Sequence, residues 1–265
     1  MTLVAGVAGQ PIAHSLSPAI HTAWITAAGI DARYEAFAPA DAEAFTALVE
    51  EVRRGALRGL NVTAPYKEQA LALADAASGP ARTCGSANLL VFKGGAVRAD
   101  STDGAGLMAA LAEQAPALDV AGRTVVVLGA GGAARAAAAA LKMAGARVGV
   151  LNRTETRAHA LADDLGVEVA STDWLGEAAL VVNAATVAPA LDVHGLRGDA
   201  VLMDMTYRPL LTPFLAAGRA RGLTTVDGLT MLIGQARPSF EALFGVSPPD
   251  IDVRAAALAA MGEAA

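Results

Sequence analysis

Several kinds of residue are scarce in this chain, and each shortage excludes something. A single cysteine, Cys84, cannot form an internal disulfide. The four histidines (His14, His21, His159 and His194) fall into neither an HExxH nor an HxH pattern, so no metal site is expected. Basic residues are outnumbered 20 to 26 by acidic ones, for a formal net charge of −6. That balance argues against nonspecific nucleic-acid binding and against a general attraction for anionic membranes. Any anionic ligand must be held by local groups rather than by the overall field. No uninterrupted apolar run approaches the roughly 18 residues of a membrane span. The alanine-rich "AARAAAAALKMAGA" is broken by Arg135 and Lys142. The opening "MTLVAGVAGQPIAHS" has no basic region of the kind that begins a signal peptide. A soluble, cytoplasmic protein with no nucleic-acid or membrane partner is expected.

What is abundant is alternation. Much of the 54% hydrophobic content is alanine, but bulky aliphatics recur along all 265 residues. Short apolar runs alternate with helical patterns. "TLVAGVAG" reads as a strand, and "SPAIHTAWITAAG" as a helix with Ser17 as N-cap, Pro18 at N1 and Gly29 as its stop. "YEAFAP" and "LRGLNVTAP" read as strands, "DAEAFTALVEEVRRG" as a helix between Asp41 and Gly55, and "YKEQALALADAA" as a further helix. "SANLLVFKGGAVRADST" reads as a hairpin turning at Gly94-Gly95. "TDGAGLMAALAEQAP" is a helix that leads into a second series of strands: "RTVVVLG", "RVGVLNRT", "ALVVNAAT" and "AVLMDMTY". The pattern predicts an α/β protein of two domains with parallel pairing. The expected boundaries are 1–103 for a substrate-binding domain and 104–227 for a Rossmann-type domain. The segment from about 228 to 265 returns to complete the first, with an active-site cleft between the two.

"VVVLGAGGAARAA" carries the strongest local signal. Gly129-Ala130-Gly131-Gly132-Ala133-Ala134 is GxGxxA between a strand and a helix. In that context the first glycine allows a tight turn, the second admits a pyrophosphate, and the small third residue lets helix and strand pack closely. The helix N-terminus then offers unpaired N–H groups to the anion. The next strand ends in Asn152-Arg153-Thr154, with Arg157 one turn on, where NAD-binding folds usually place a carboxylate. Guanidiniums suit a 2′-phosphate, so NADP is favoured over NAD.

Taken in order, "GQPIAHSLSPAIH", "NVTAPYK", "STDGAG", "GAGGAAR", "NRTETRA", "DMTYRPLLTPFL" and "DGLTMLIGQA" resemble the successive motifs of the shikimate dehydrogenase family. The resemblance spans nearly the whole chain. It implies a two-domain, NADP-dependent oxidoreductase interconverting 3-dehydroshikimate and shikimate in aromatic amino-acid biosynthesis, as a monomer or homodimer. It implies Lys67 and Asp103 as the catalytic pair and Ser15 and Ser17 as ligands of the substrate carboxylate. Asn61, Thr63, Asn88, Tyr207 and Gln235 would surround the ring. Gly129, Ala130, Gly131, Gly132, Ala133, Asn152, Arg153, Thr154, Arg157, Met205, Gly228 and Met231 would meet the cofactor. Thr22, Leu89 and Ser101 depart from the family pattern. A paralogue acting on quinate, an aminated shikimate or a related cyclic hydroxy acid, possible also with NAD, is the alternative, and a non-catalytic ligand sensor a remote one.

Read from the residues themselves, these positions keep a second meaning. Ser15 and Ser17 bracket a turn before a helix, where hydroxyls suit a small carboxylate or simply cap the helix. Asn61 and Thr63 alternate along a strand, so both side chains face one way. Tyr207 and Gln235 could equally be core, while Trp24, Trp174 and the methionines suit core packing, Met231 less clearly. Reduction of a ketone needs a proton donor beside the developing alkoxide, and a cationic lysine in hydrogen-bond reach supplies one.

Overall fold

A computed structural model describes residues 2–185 and 191–262. They fall into two compact units, Met1–Thr102 with Gln235–Ala265, and Asp103–Gly234. Thr186, at the end of "ALVVNAAT", and the last three residues lie outside the described residues.

The first unit is built on β1 (Leu3–Ala8), α1 (Ser17–Ala28), β2 (Ala32–Phe37), α2 (Ala42–Arg53), β3 (Gly59–Val62), α3 (Lys67–Leu73), β4 (Ala76–Ala77), α4 (Gly79–Cys84), β5 (Leu89–Lys93) and β6 (Ala96–Asp100). Its sheet runs β2-β1-β3-β5-β6-β4. β1 pairs in parallel with β2 and β3, whereas β5 is antiparallel to both β3 and β6. The β5–β6 reversal falls at Gly94 and Gly95, with φ of 64° and 79°. Two consecutive positive φ values are what a type I′ hairpin turn demands, and glycine reaches them without steric cost.

The second unit holds α5 (Asp103–Gln114), β7 (Thr124–Leu128), α6 (Gly132–Met143), β8 (Arg147–Leu151), α7 (Glu155–Leu165), β9 (Glu168–Val169), β10 (Leu180–Asn183), β11 (Val201–Asp204), α8 (Pro213–Ala220) and β12 (Thr224–Val226). α9 (Gly228–Phe244) starts in this unit and continues into the first, which α10 (Val253–Met261) closes. The second sheet is parallel throughout, in the order β12-β11-β10-β7-β8-β9. Numbered within the unit, this is the doubly wound order 3-2-1-4-5-6, with its switch point between β7 and β10. Fully buried valines in β7 and β10 explain why these strands read as continuous apolar runs: both sheet faces are covered. Among the described residues no helix is long and apolar enough to cross a membrane.

Two local expectations are corrected. Ser17 does not cap α1. It is the first helical residue, and the cap position is Leu16, which is buried and has αR backbone angles. Seating Leu16 in the core starts the helix one residue early, and the Ser15 hydroxyl instead accepts the Ser17 N–H at 3.3 Å. The helix read over "YKEQALALADAA" ends at Leu73. Beyond it Asp75 exchanges bonds with Val97: its N–H donates to the Val97 carbonyl (2.9 Å), and its carboxylate accepts the Val97 N–H (2.8 Å). Those bonds draw Ala76 and Ala77 into the sheet beside β6, overriding helix propensity.

Candidate active site

The register of the first sheet places most of the proposed substrate residues along one edge. β1 and β3 are parallel, so Ser15 and Ser17 (after β1) and Asn61 and Thr63 (at the end of β3) lie at their C-terminal ends. β5 is antiparallel, so its start lies there too, preceded by Asn88, and β6 ends there before Thr102. Carboxyl edges of this kind are where open α/β sheets bind ligands.

A continuous hydrogen-bonded set ties these residues together. The Asn61 carboxamide donates from Nδ2 to the Asn88 carbonyl (3.2 Å) and to Ser239 Oγ (2.9 Å), and its Oδ1 accepts from the Tyr34 hydroxyl (2.8 Å). Asn88, 5% exposed, donates to Thr102 Oγ1 (3.0 Å) and Gln235 Oε1 (3.2 Å) and accepts the Thr102 N–H (2.8 Å). Ser239 donates back to the Gln235 carbonyl one turn earlier on α9 (3.1 Å). Buried amides satisfied at both ends have fixed orientations, which is what preorganised recognition requires.

Lys67 is the first residue of α3 and half-buried, and its carbonyl accepts the Ala87 N–H at 2.9 Å. A cation at a helix N-terminus opposes the macrodipole, so helix stability does not explain a lysine there. Thr63 donates its N–H to the Ala8 carbonyl (2.9 Å), and a Cβ added at Gly9 would lie 2.3 Å from its methyl group. Gly9 therefore makes room for the Thr63 side chain beside β1. Leu89 and Val91 are buried beside a cavity of about 270 Å³ that Lys93, Arg98 and the exposed Ala242 also line, and Ser101 donates its N–H to Asp100. His14 is exposed.

In the second unit, Asp103 opens α5 and is buried, a favourable place for a carboxylate on the dipole argument. Gly129 follows β7 at the switch point with φ of 113°. Its N–H donates to the Leu151 carbonyl at the end of β8 (2.9 Å), and an added Cβ would meet the Ala185 nitrogen at 3.1 Å. A Cβ at Gly131 would meet nothing within 4 Å, so the backbone there stands open. Gly131 is the cap of α6 and no side chain caps that helix, while Gly132 is exposed and Ala133 half-buried. Ala130 is partly buried against the core, and Ala134, the small third residue, is fully buried. This combination leaves the first-turn N–H groups of α6 to an anion.

Past β8, Asn152 folds back to donate to the Thr154 carbonyl (2.9 Å). Arg153, Thr154 and Arg157 are exposed, and neither arginine has a carboxylate partner among the described residues. Gly228 opens α9 against the loop after β11: an added Cβ would lie 2.6 Å from the Thr206 carbonyl and 2.7 Å from that of Met205. Met231 is buried in the core of this unit. Tyr207 is partly buried; burial raises its phenol pKa, opposed by the nearby Arg208.

Sequence reading overlooked Tyr34, Thr102 and Ser239 as members of the set. Two signals existed: Thr102 lies inside "STDGAG", and Ser239 follows Gln235 at helical i, i+4 spacing. Among the described residues no cluster of His, Cys, Asp and Glu has metal-binding geometry.

Comparison with known proteins places the chain in a family. Residues 7–90 match the family model described as the shikimate dehydrogenase substrate binding domain, and residues 110–190 match shikimate / quinate 5-dehydrogenase. A Caulobacter vibrioides protein named shikimate dehydrogenase (NADP(+)) is 53% identical over 98% of this chain and 96% of its own. The Thermus thermophilus shikimate 5-dehydrogenase, solved in complex with NADP(H) and shikimate, superposes with a TM-score of 0.90 at 38% identity, covering 98% of this chain and 100% of that one. A Corynebacterium glutamicum quinate dehydrogenase, solved with NAD, gives a TM-score of 0.86 at 30% identity, covering 98% and 99%. With both parts of the chain matched and the identity sustained from end to end, the chain belongs to the shikimate dehydrogenase family.

Proposed function

We propose that this protein is an NADP-dependent shikimate dehydrogenase, reversibly reducing 3-dehydroshikimate to shikimate in the cytoplasm, as a monomer or homodimer. The observation that carries this reading is the hydrogen-bonded edge of the first sheet. Hydroxyls of Ser15 and Ser17 stand at one part of it, and the fixed amides of Asn61, Asn88 and Gln235 at another. Such an arrangement suits a small ring bearing a carboxylate at one end and hydroxyls at the other.

In this reading hydride transfer is the chemistry that NADPH supplies when bound, and the protein orients the substrate and manages the proton. Gly129 to Ala133 and the N-terminus of α6 hold the pyrophosphate. Asn152, Arg153, Thr154 and Arg157 receive the 2′-phosphate, through guanidinium hydrogen bonds and the polar groups between them. Met205, Gly228 and Met231 would also meet the cofactor. Lys67 donates a proton to the oxygen of the ketone as it is reduced and takes it back in the oxidation direction. Asp103 orients the substrate hydroxyl and the lysine, while Thr63 and Tyr207 complete the substrate's surroundings. Leu89 and Ser101 favour a second reading, a paralogue for quinate or another cyclic hydroxy acid. Oxidation assays with shikimate and quinate, each with NADP and with NAD, separate the two. Shikimate with NADP is expected to give the highest kcat/KM, and a preference for quinate would overturn the assignment.

A further inference from the structure

β2 forms one end of the first sheet, so one side of its backbone has no neighbouring strand. The bonds to β1 fix which side that is. The Asp31 and Phe37 carbonyls accept the Leu3 and Gly9 N–H groups, at 2.9 and 3.2 Å. Main-chain groups of every second residue in a strand point the same way. Those of Arg33 and Glu35 therefore face β1, and those of Ala32, Tyr34 and Ala36 face outward. The Ala32 N–H turns back to the Ile30 carbonyl (3.0 Å). The Tyr34 and Ala36 N–H groups and the outward carbonyls have no main-chain partner among the described residues. An unpaired edge of this kind is a template for another strand.

Its charges suit a second copy of this chain. An antiparallel pair must set outward residues opposite outward residues, which leaves few registers. In the one centred on Tyr34, that residue exchanges both its bonds with its own copy, and Ala36 donates to the Ala32 carbonyl of the other chain. Arg33 then stands opposite Glu35 of the other chain, and two-fold symmetry repeats the pair. The neighbouring registers set Arg33 opposite Arg33, or Glu35 opposite Glu35, and like charges directly opposite are destabilising. Charge thus selects the register centred on Tyr34. The two side chains are 64% and 44% exposed and come no closer than 3.7 Å within one chain, so both are available to a cross-strand partner. They lie on the sheet face away from the Tyr34 ring, which is buried against His21 of α1 with centroids 4.0 Å apart. The flank agrees with this arrangement. α1 packs over β2, yet it contains no Asp, Glu, Lys or Arg, and its exposed residues are Thr22, Thr26 and Ala27. Helices that face water usually carry charge on the outer side. β2 also lacks lysine and proline, which commonly blunt an edge. We propose that the protein forms a two-fold dimer by antiparallel pairing of β2 with β2 of a second copy, centred on Tyr34. This takes up the homodimer of the reading above and does not depend on the substrate assignment.

The test is sedimentation velocity of the full chain over a concentration series, for the wild type, Arg33→Glu, Glu35→Arg and the double swap. The wild type is expected to dimerise reversibly. Each single reversal turns both cross-strand pairs into like-charge pairs and should raise the dimer dissociation constant about 10-fold to 100-fold. The double swap restores opposite charges and should return it close to the wild-type value. A wild type that is monomeric at every concentration, single reversals that dimerise as well as the wild type, or a double swap no better than the singles would overturn the proposal. Should the reversals not fold, Ala36→Pro removes an outward N–H without touching the bonds to β1, at an edge where proline is tolerated. It should abolish the dimer, and a dimer that survives it would overturn the proposal as well. A monomer that oxidises shikimate overturns the dimer alone, and a dimer that oxidises no hydroxy acid overturns the substrate assignment alone.

Discussion

Asn88 offers the sharpest test of how the site is held together. Its carboxamide makes bonds to Thr102 and Gln235 from a position 5% exposed. Asn88→Ala removes the acceptor of the Thr102 N–H, which sits in a 2.8 Å bond, and one donor to Gln235 Oε1. A buried polar group left unpaired costs about 1–3 kcal/mol. Thr102 is 4% exposed and meets that cost in full, while Gln235 is only partly buried and recovers some of it from water. The expected loss of stability is therefore about 2–4 kcal/mol. Asn88→Asp keeps an acceptor for the Thr102 N–H, and Gln235 can turn its amide to donate, so this variant should lose less at pH 7. Urea unfolding, together with hydrogen exchange at the Thr102 amide, measures both. If Asn88→Ala lies within about 0.5 kcal/mol of the wild type, a level typical of surface substitutions, the carboxamide does not organise this edge. Asn88→Asp proving worse than Asn88→Ala would refute the accounting of donors and acceptors.

Other consequences follow from the same geometry. The folded pKa of His21 is about 3 against 6.5 for the unfolded chain, so between those values the unfolded state binds the extra proton. Stability then rises with pH across that window, by up to about 1.4 kcal/mol per pH unit from this residue. His21→Phe, which keeps a ring against Tyr34, should flatten the stability profile between pH 6 and 5, and an unaltered slope would show that His21 is protonated in the native state. Arg153→Ala and Arg157→Ala remove exposed side chains and should leave stability unchanged. Each should raise KM for NADP about 10-fold to 100-fold, the size of a charge-assisted bond, with no effect on NAD. Unchanged NADP kinetics in the double variant would rule these arginines out as the 2′-phosphate site.

The sequence determined a good deal unaided, because its signals act over short distances. Alternation of apolar runs with helical periods specifies α/β layering. GxGxxA between a strand and a helix specifies the turn at Gly129, whose φ of 113° suits a residue with no Cβ. Gly94-Gly95 specifies the hairpin for the same reason. The arginines after β8 stand out in the sequence because a carboxylate is missing where one is usual. What only tertiary structure decided are contacts between distant residues. Asn61 meets Ser239 across 178 positions, and Asn88 meets Gln235 across 147. No local pattern states whether an amide faces a substrate, another amide or the core. The same holds for His21, whose sequence neighbours do not show that in the fold it is a neutral plate under Tyr34. Trp24 lies one turn on in the same helix, but the Tyr34 and Phe240 rings that complete its burial reach it only when the chain folds. Asp75 likewise ended a helix that propensity would have extended, since its partner at Val97 becomes available only when the sheet has formed.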